Sequence, residues 1–197
     1  MRWIVIDGID GSGKTTHASW IKEYYEERGE STAIYLHPSS RLLGRLSRKS
    51  LQGSGRVMQA LAGMFFIMDV LNSLRIMRHQ ARKRDNVVFV RYLMATAYLP
   101  GRLTKMGYTF FAKLLPVPER LLLVDIDPKV AFRRISARME KKEMFEDIPH
   151  LTRIREKVLS LTDGSWKVID NSFSDAESHK RLEEILIYWD SVNRGSR

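Results

Sequence analysis

The chain of 197 residues has no cysteine. That excludes disulfides and thiolate metal sites, and is compatible with the cytoplasmic location we expect. Proline is scarce as well, six in all. No proline-rich linker, low-complexity segment or internal repeat divides the chain, so one domain over residues 1–197 is expected. Continuous apolar runs are short. None reaches the ~18 residues of a bilayer span, so no membrane partner is expected. The first residues already read as a strand, so no cleaved leader is expected either. Acidic residues are the remaining deficit: 23 Asp and Glu stand against 33 Lys and Arg, a net charge of +10. Such a surface attracts polyanions, whether nucleic acid or nucleotides. The basic residues are spread over many segments, which favours a solvated surface with a minority of phosphate ligands.

What the chain does have is a glycine loop. Gly8-Ile9-Asp10-Gly11-Ser12-Gly13-Lys14-Thr15 fits G-x-x-x-x-G-K-[ST]. The run Trp3–Ile6 before it is short, apolar and β-branched, as a buried strand is. The stretch from Thr16 to Glu27 has helical spacing and ends at Gly29. Glycines let backbone N–H groups converge on phosphate oxygens, and the helix start near Gly13 adds its positive dipole end. Lys14 is a mobile charge for β- and γ-phosphates, and the Thr15 hydroxyl can ligate Mg²⁺. The sequence therefore predicts an ATP site over residues 8–16, with Thr16 closing it.

Strands and helices alternate through the rest of the chain. Thr32–Leu36, Asn86–Val90, Arg120–Asp127 and Trp166–Asp170 read as strands. Helices are predicted over Arg41–Leu51, Arg56–Arg84, Leu103–Leu115, from Pro128, over Ile148–Leu161, and over Asp175–Trp189. Alternation of this kind predicts an α/β fold, a parallel sheet with helices on both faces. Arg91 follows the third strand, where open α/β sheets bind ligands, and phosphate binding is its expected role. Asp69, in an otherwise apolar helix, needs a partner: it is either a structural carboxylate or a pocket residue one turn from Phe66. His37, without a metal-like neighbour, reads as a polar loop residue.

These residues together resemble the thymidylate kinases, within the phosphate-loop nucleoside monophosphate kinases, over nearly the whole length. Residues 6–16 resemble that family's loop, which carries an acidic residue among its glycines. The likeness implies that Asp10 contacts the acceptor sugar. Leu43-Gly44 through Arg48 is similar to a segment whose Arg binds the acceptor phosphate. Phe66-Ile67-Met68-Asp69 resembles the pocket helix whose Phe stacks on the base. Val90-Arg91-Tyr92 stands where the family has Asp-Arg-Tyr, so Arg91 is the implied phosphate clamp. Ala131 to Arg138 is similar to the stretch entering a closing lid, here about residues 138–148. The implied fold is a phosphate-loop NTPase fold of three layers, with a five-stranded parallel sheet and a helical lid. The implied reaction is transfer of a phosphoryl group from ATP to a nucleoside monophosphate, dTMP first, with Mg²⁺ as cofactor. A homodimer through the Met64–Leu74 helix is a further implied partner.

Departures accompany the likeness. Val90 replaces the family's Asp, and Asp7, Asp10 or Asp125 could supply the missing carboxylate. Val70 replaces an Arg that hydrogen-bonds the base. Leu36-His37 replaces Arg-Glu before Pro38. Glu143-Met144-Phe145-Glu146 replaces the lid's Asp-Arg-x-Glu, which leaves Arg133, Arg134 or Arg138 as the lid cation. Two rivals follow: a kinase for another nucleotide or nucleoside, and an ATP-dependent nucleic-acid-binding protein. The second is disfavoured, because Val90 stands where a helicase-like ATPase needs a carboxylate. A guanine-specific switch is excluded because the chain has no Asn-Lys-x-Asp segment.

Overall fold

In a computed structural model, residues 1–80, 83–98, 103–137 and 147–194 are described. Five strands form one sheet: β1 (Arg2–Asp7), β2 (Thr32–Leu36), β3 (Asn86–Val90), β4 (Arg120–Asp125) and β5 (Trp166–Asp170). All pairings are parallel and the order is β2-β3-β1-β4-β5. From β1 the chain thus crosses to the edge strand β2, comes back to β3 beside β1, and then passes to β4 and β5 on the other side. The carboxyl end of β1 lies at the reversal, where such sheets hold ligands.

Alternate residues of the central strands feed two cores. Ile4, Ile6, Val88, Val90, Leu122 and Val124 point to one face. They meet α1 (Lys14–Glu26) and α7 (Asp175–Arg194) through Ala18, Ile21, Leu182 and Leu186. Val5, Phe89, Leu121 and Leu123 point to the other. They meet α3 (Arg56–Gln80) and α6 (Ile148–Leu161) through Val70, Leu74, Leu151 and Val158. Each such Val, Leu, Ile or Phe side chain contributes about 1.5–3 kcal/mol by leaving water. The three expected layers are therefore present.

The remaining helices are α2 (Leu42–Leu51), α4 (Leu103–Leu114) and α5 (Pro128–Ser136). Asp127 caps α5 by accepting from the Lys129 and Val130 amides, with Pro128 at the first helical position. A short 3-10 helix over Met94–Tyr98 was not expected from the sequence. Its cause is remote: the Asp7 carboxylate accepts from the Tyr92, Leu93 and Met94 amides at its start.

α3 departs from the expectation of no spanning segment. Val57–Gln80 is long and apolar enough by length and composition, with a window of mean hydropathy 1.5. Core helices pass the same test. One face of α3 belongs to the protein interior, since Asp69 and Ser73 are fully buried and bonded to the segment between β2 and α2. Another face exposes Val57, Met64, Met68 and Leu71.

Candidate active site

The loop between β1 and α1 is built from glycines for steric reasons. Gly8 has φ 150°, and a β-carbon there would lie 2.3 Å from the Val124 carbonyl oxygen. Gly13 has φ 91°, and a β-carbon would lie 2.5 Å from Asn171 Nδ2. That amide donates to the Ser12 carbonyl at 2.8 Å, and its oxygen accepts from Ser178 Oγ at 2.8 Å. Asn171, just past β5, thereby ties the loop to α7. Lys14 is buried, and its ammonium donates to the Ile9 carbonyl at 2.5 Å. Thr15 and Thr16 are exposed in the first turn of α1.

Two arginines converge on this loop. Arg134 of α5 pairs with Asp175 at 3.6 Å. Its Nη1 lies 3.7 Å from where a Gly13 β-carbon would sit, so its guanidinium hangs over the loop. Arg91 follows β3 in a left-handed conformation, φ 62°. Its amide donates to the Ile6 carbonyl at 2.9 Å, and its guanidinium donates to the Asp10 carboxylate. The other Asp10 oxygen accepts from Tyr98 at 2.7 Å. Arg138 and most of the expected lid lie outside the described residues.

The carboxylates that could replace the one missing at Val90 have other partners. Asp7 is fully buried among backbone amides. Burial pushes its pKa up to about 6, against the lowering effect of those amides. Asp125 is bound bidentately by Arg155, with both contacts at 2.8 Å. Among the described residues no cluster of three His, Cys, Asp or Glu could hold a metal. The donor set fits a nucleotide-borne Mg²⁺, which keeps its waters and phosphate oxygens and needs few protein ligands. The exposed Thr15 hydroxyl, in the first turn of α1, is the side chain that could hold it.

Beyond Arg91 lies an apolar pocket, lined by Phe66, Ile67, Val70, Phe111 and Leu115, with Tyr92, Ala95 and Thr96 on the β3 side. Phe66 is thus an aromatic part of the pocket wall. Arg48 and Asp69 take different places. The Arg48 guanidinium donates to the Pro38 and Ser39 carbonyls at 3.1 and 3.0 Å. Asp69 is buried and accepts from the Ser39 amide and hydroxyl, both at 2.6 Å, and from Arg41 at 3.1 Å. Both residues hold the segment after Pro38, the structural alternative for Asp69. His37 lies in the loop between β2 and α2, as expected. It is buried, with its ring nitrogens on the Val90 carbonyl and the Ser73 hydroxyl at 3.2 and 2.7 Å. Burial pushes its pKa down to about 4, so the ring stays neutral at pH 7. Arg41 also donates to Ser73, which completes a polar chain under the pocket.

Cations drawn from three elements to one glycine loop, beside an apolar pocket, are what phosphoryl transfer between two nucleotides requires. The class that this fold and site define is the phosphate-loop nucleoside monophosphate kinases, which are transferases. A family model described as thymidylate kinase matches residues 6–182, and the chain belongs to that family. It is 31% identical over 158 residues to a thymidylate kinase of Leptospira borgpetersenii, covering 78% of this chain and 77% of that one. It is 30% identical over 168 residues to a thymidylate kinase of Leptospira interrogans, covering 80% and 81%. A probable thymidylate kinase of Pyrococcus abyssi is 27% identical over 194 residues, covering 93% and 95%. Among solved structures, a thymidylate kinase from Candida albicans superposes with a TM-score of 0.72 at 19% identity, over 96% of this chain and 92% of that one. That likeness supports the fold.

Proposed function

We propose that the protein transfers the γ-phosphoryl group of ATP to the phosphate of dTMP, giving ADP and dTDP, and so serves nucleotide biosynthesis. The observation that carries this is Arg91. Its guanidinium is bonded to Asp10 of the phosphate loop, and the next residue, Tyr92, lines the Phe66 pocket. A cation there can grip an acceptor phosphate whose base lies in the pocket and whose sugar meets Asp10.

The chain's residues then divide the work. The amides of residues 8–15 and Lys14 hold the donor phosphates. Arg134, with Arg138 in the lid, neutralises charge where the transferred group loosens. Arg48 and Asp69 support the acceptor side by fixing residues 38 and 39. Mg²⁺ held by Thr15 and the nucleotide would neutralise the β- and γ-oxygens. Lid closure would keep water from taking the phosphate. The exposed Val57, Met64, Met68 and Leu71 stripe of α3 supports a homodimer through that helix. The location is cytoplasmic. Lys14→Ala should lower the rate of ADP formation with dTMP by ~10²-fold or more. Full activity in that variant would refute the assignment of the loop.

A further inference from the structure

Among the described residues, the lining of the pocket next to Arg91 in sequence has no side-chain proton left to give. Its described lining carries two hydroxyls, those of Tyr92 and Thr96. Tyr92 donates its proton to the Pro116 carbonyl at 2.9 Å. Thr96 donates its own to the Leu93 carbonyl at 2.9 Å. A carbonyl can only accept, so both protons are committed, and each hydroxyl oxygen offers a ligand only lone pairs. The other lining side chains are apolar, including Val70, 2% exposed and one turn from Phe66 on the same face of α3.

This bears on how a pyrimidine is read. A 4-oxo pyrimidine presents an N3–H donor and an O4 acceptor on that edge. A 4-amino pyrimidine presents N4–H donors and an N3 acceptor. Lone pairs on Thr96 can receive N3–H from the first or N4–H from the second. No side-chain donor in the described lining reaches for O4, so nothing in that lining penalises its replacement by NH₂. Rejection of 10⁴-fold or more arises where a site's own polar group is left unpaired by the wrong ligand. An apolar wall discriminates by shape and methyl burial, worth roughly tenfold per methyl.

We infer that this pocket selects its acceptor by the apolar 5-methyl group and not by the group at position 4, so that it takes both 4-oxo and 4-amino 5-methylpyrimidine deoxymonophosphates. The inference rests on the phosphoryl-transfer reading above and names the substrate class of that site. Val70 is the residue that sets it, because it lines the pocket one turn from Phe66, where a donor in its place would face the base.

The test is a comparison of kcat/KM for dTMP, 5-methyl-dCMP, dUMP and dCMP, each with Mg-ATP. The expected result is 5-methyl-dCMP within about tenfold of dTMP. dUMP and dCMP should each fall about tenfold below their 5-methylated partners. A preference for dTMP over 5-methyl-dCMP beyond ~10³-fold would overturn the inference while leaving phosphoryl transfer intact. ADP formation with none of the four would sink the transfer reading, and this inference with it. Val70→Arg should raise the ratio of dTMP to 5-methyl-dCMP at least tenfold, and an unchanged ratio would contradict the role given to Val70. Thr96→Val should lower kcat/KM for both methylated substrates by similar factors. A loss confined to dTMP would contradict the shared acceptor.

Discussion

The Arg91 guanidinium is hydrogen-bonded to the Asp10 carboxylate, across 81 positions of sequence. The bond joins the end of β3 to the middle of the glycine loop. It requires Arg91 to leave the strand in a left-handed conformation, φ 62°, which costs a non-glycine residue about 1–2 kcal/mol. The Ile6 carbonyl and the Asp7 carboxylate hold that turn from both sides.

Backbone and side chain can be separated at this position. Arg91→Ala should lower kcat/KM for the acceptor by ~10²-fold or more. Arg91→Gly should be as inactive but about 1 kcal/mol more stable than Arg91→Ala, since glycine adopts this φ without strain. Urea denaturation of both variants, with steady-state kinetics, checks the pair. Equal activity of Arg91→Ala and wild type would remove Arg91 from the acceptor site.

Asp7 and His37 predict opposing pH dependences. The folded pKa of Asp7 is raised to about 6 from 3.8, so it contributes stability below pH 4 that is lost as pH rises through 6. The folded pKa of His37 is lowered to about 4 from 6.5, so its contribution is present above pH 6.5 and lost as pH falls towards 4. Each amounts to roughly 3 kcal/mol. Between pH 4 and 6 the two slopes offset in the wild type. Asp7→Asn should therefore show stability rising steeply with pH in that window, and His37→Asn should show it falling. Urea midpoints at half-unit intervals of pH read both slopes, and identical slopes in all three proteins would contradict the assignment.

Asp69→Ala should cost about 3 kcal/mol of stability, because the buried Ser39 amide and hydroxyl lose their acceptor and Arg41 its partner. Thermal unfolding measures it. A loss of acceptor affinity with stability unchanged would instead make Asp69 a pocket residue.

How much of this was legible in the sequence depended on the range of the interaction. The loop from Gly8 to Thr15 and strands such as Asn86–Val90 and Trp166–Asp170 carry local signals, and they occur where those signals put them. Phe66 also lines the pocket, because helical periodicity sets its face. The partners that act across the chain were not legible. The 3-10 helix at Met94–Tyr98 begins at amides captured by Asp7, and no local residue announces it. Arg48 looks like a phosphate ligand by position, yet its guanidinium is bonded to the carbonyls of Pro38 and Ser39. His37 has no local reason to be buried; Val90 and Ser73 supply its partners from two other elements. Asn171 and Tyr98 were missed for the same reason, since each touches the loop from a distant strand end or turn.

The central claim is that one phosphoryl group passes from ATP to dTMP in this site. Phosphorus NMR of the purified protein with Mg-ATP and dTMP tests it most directly, because donor and acceptor products are followed together. The account predicts ADP and dTDP appearing in equal amounts, with no free phosphate beyond background. ADP accompanied by inorganic phosphate and no dTDP would contradict it.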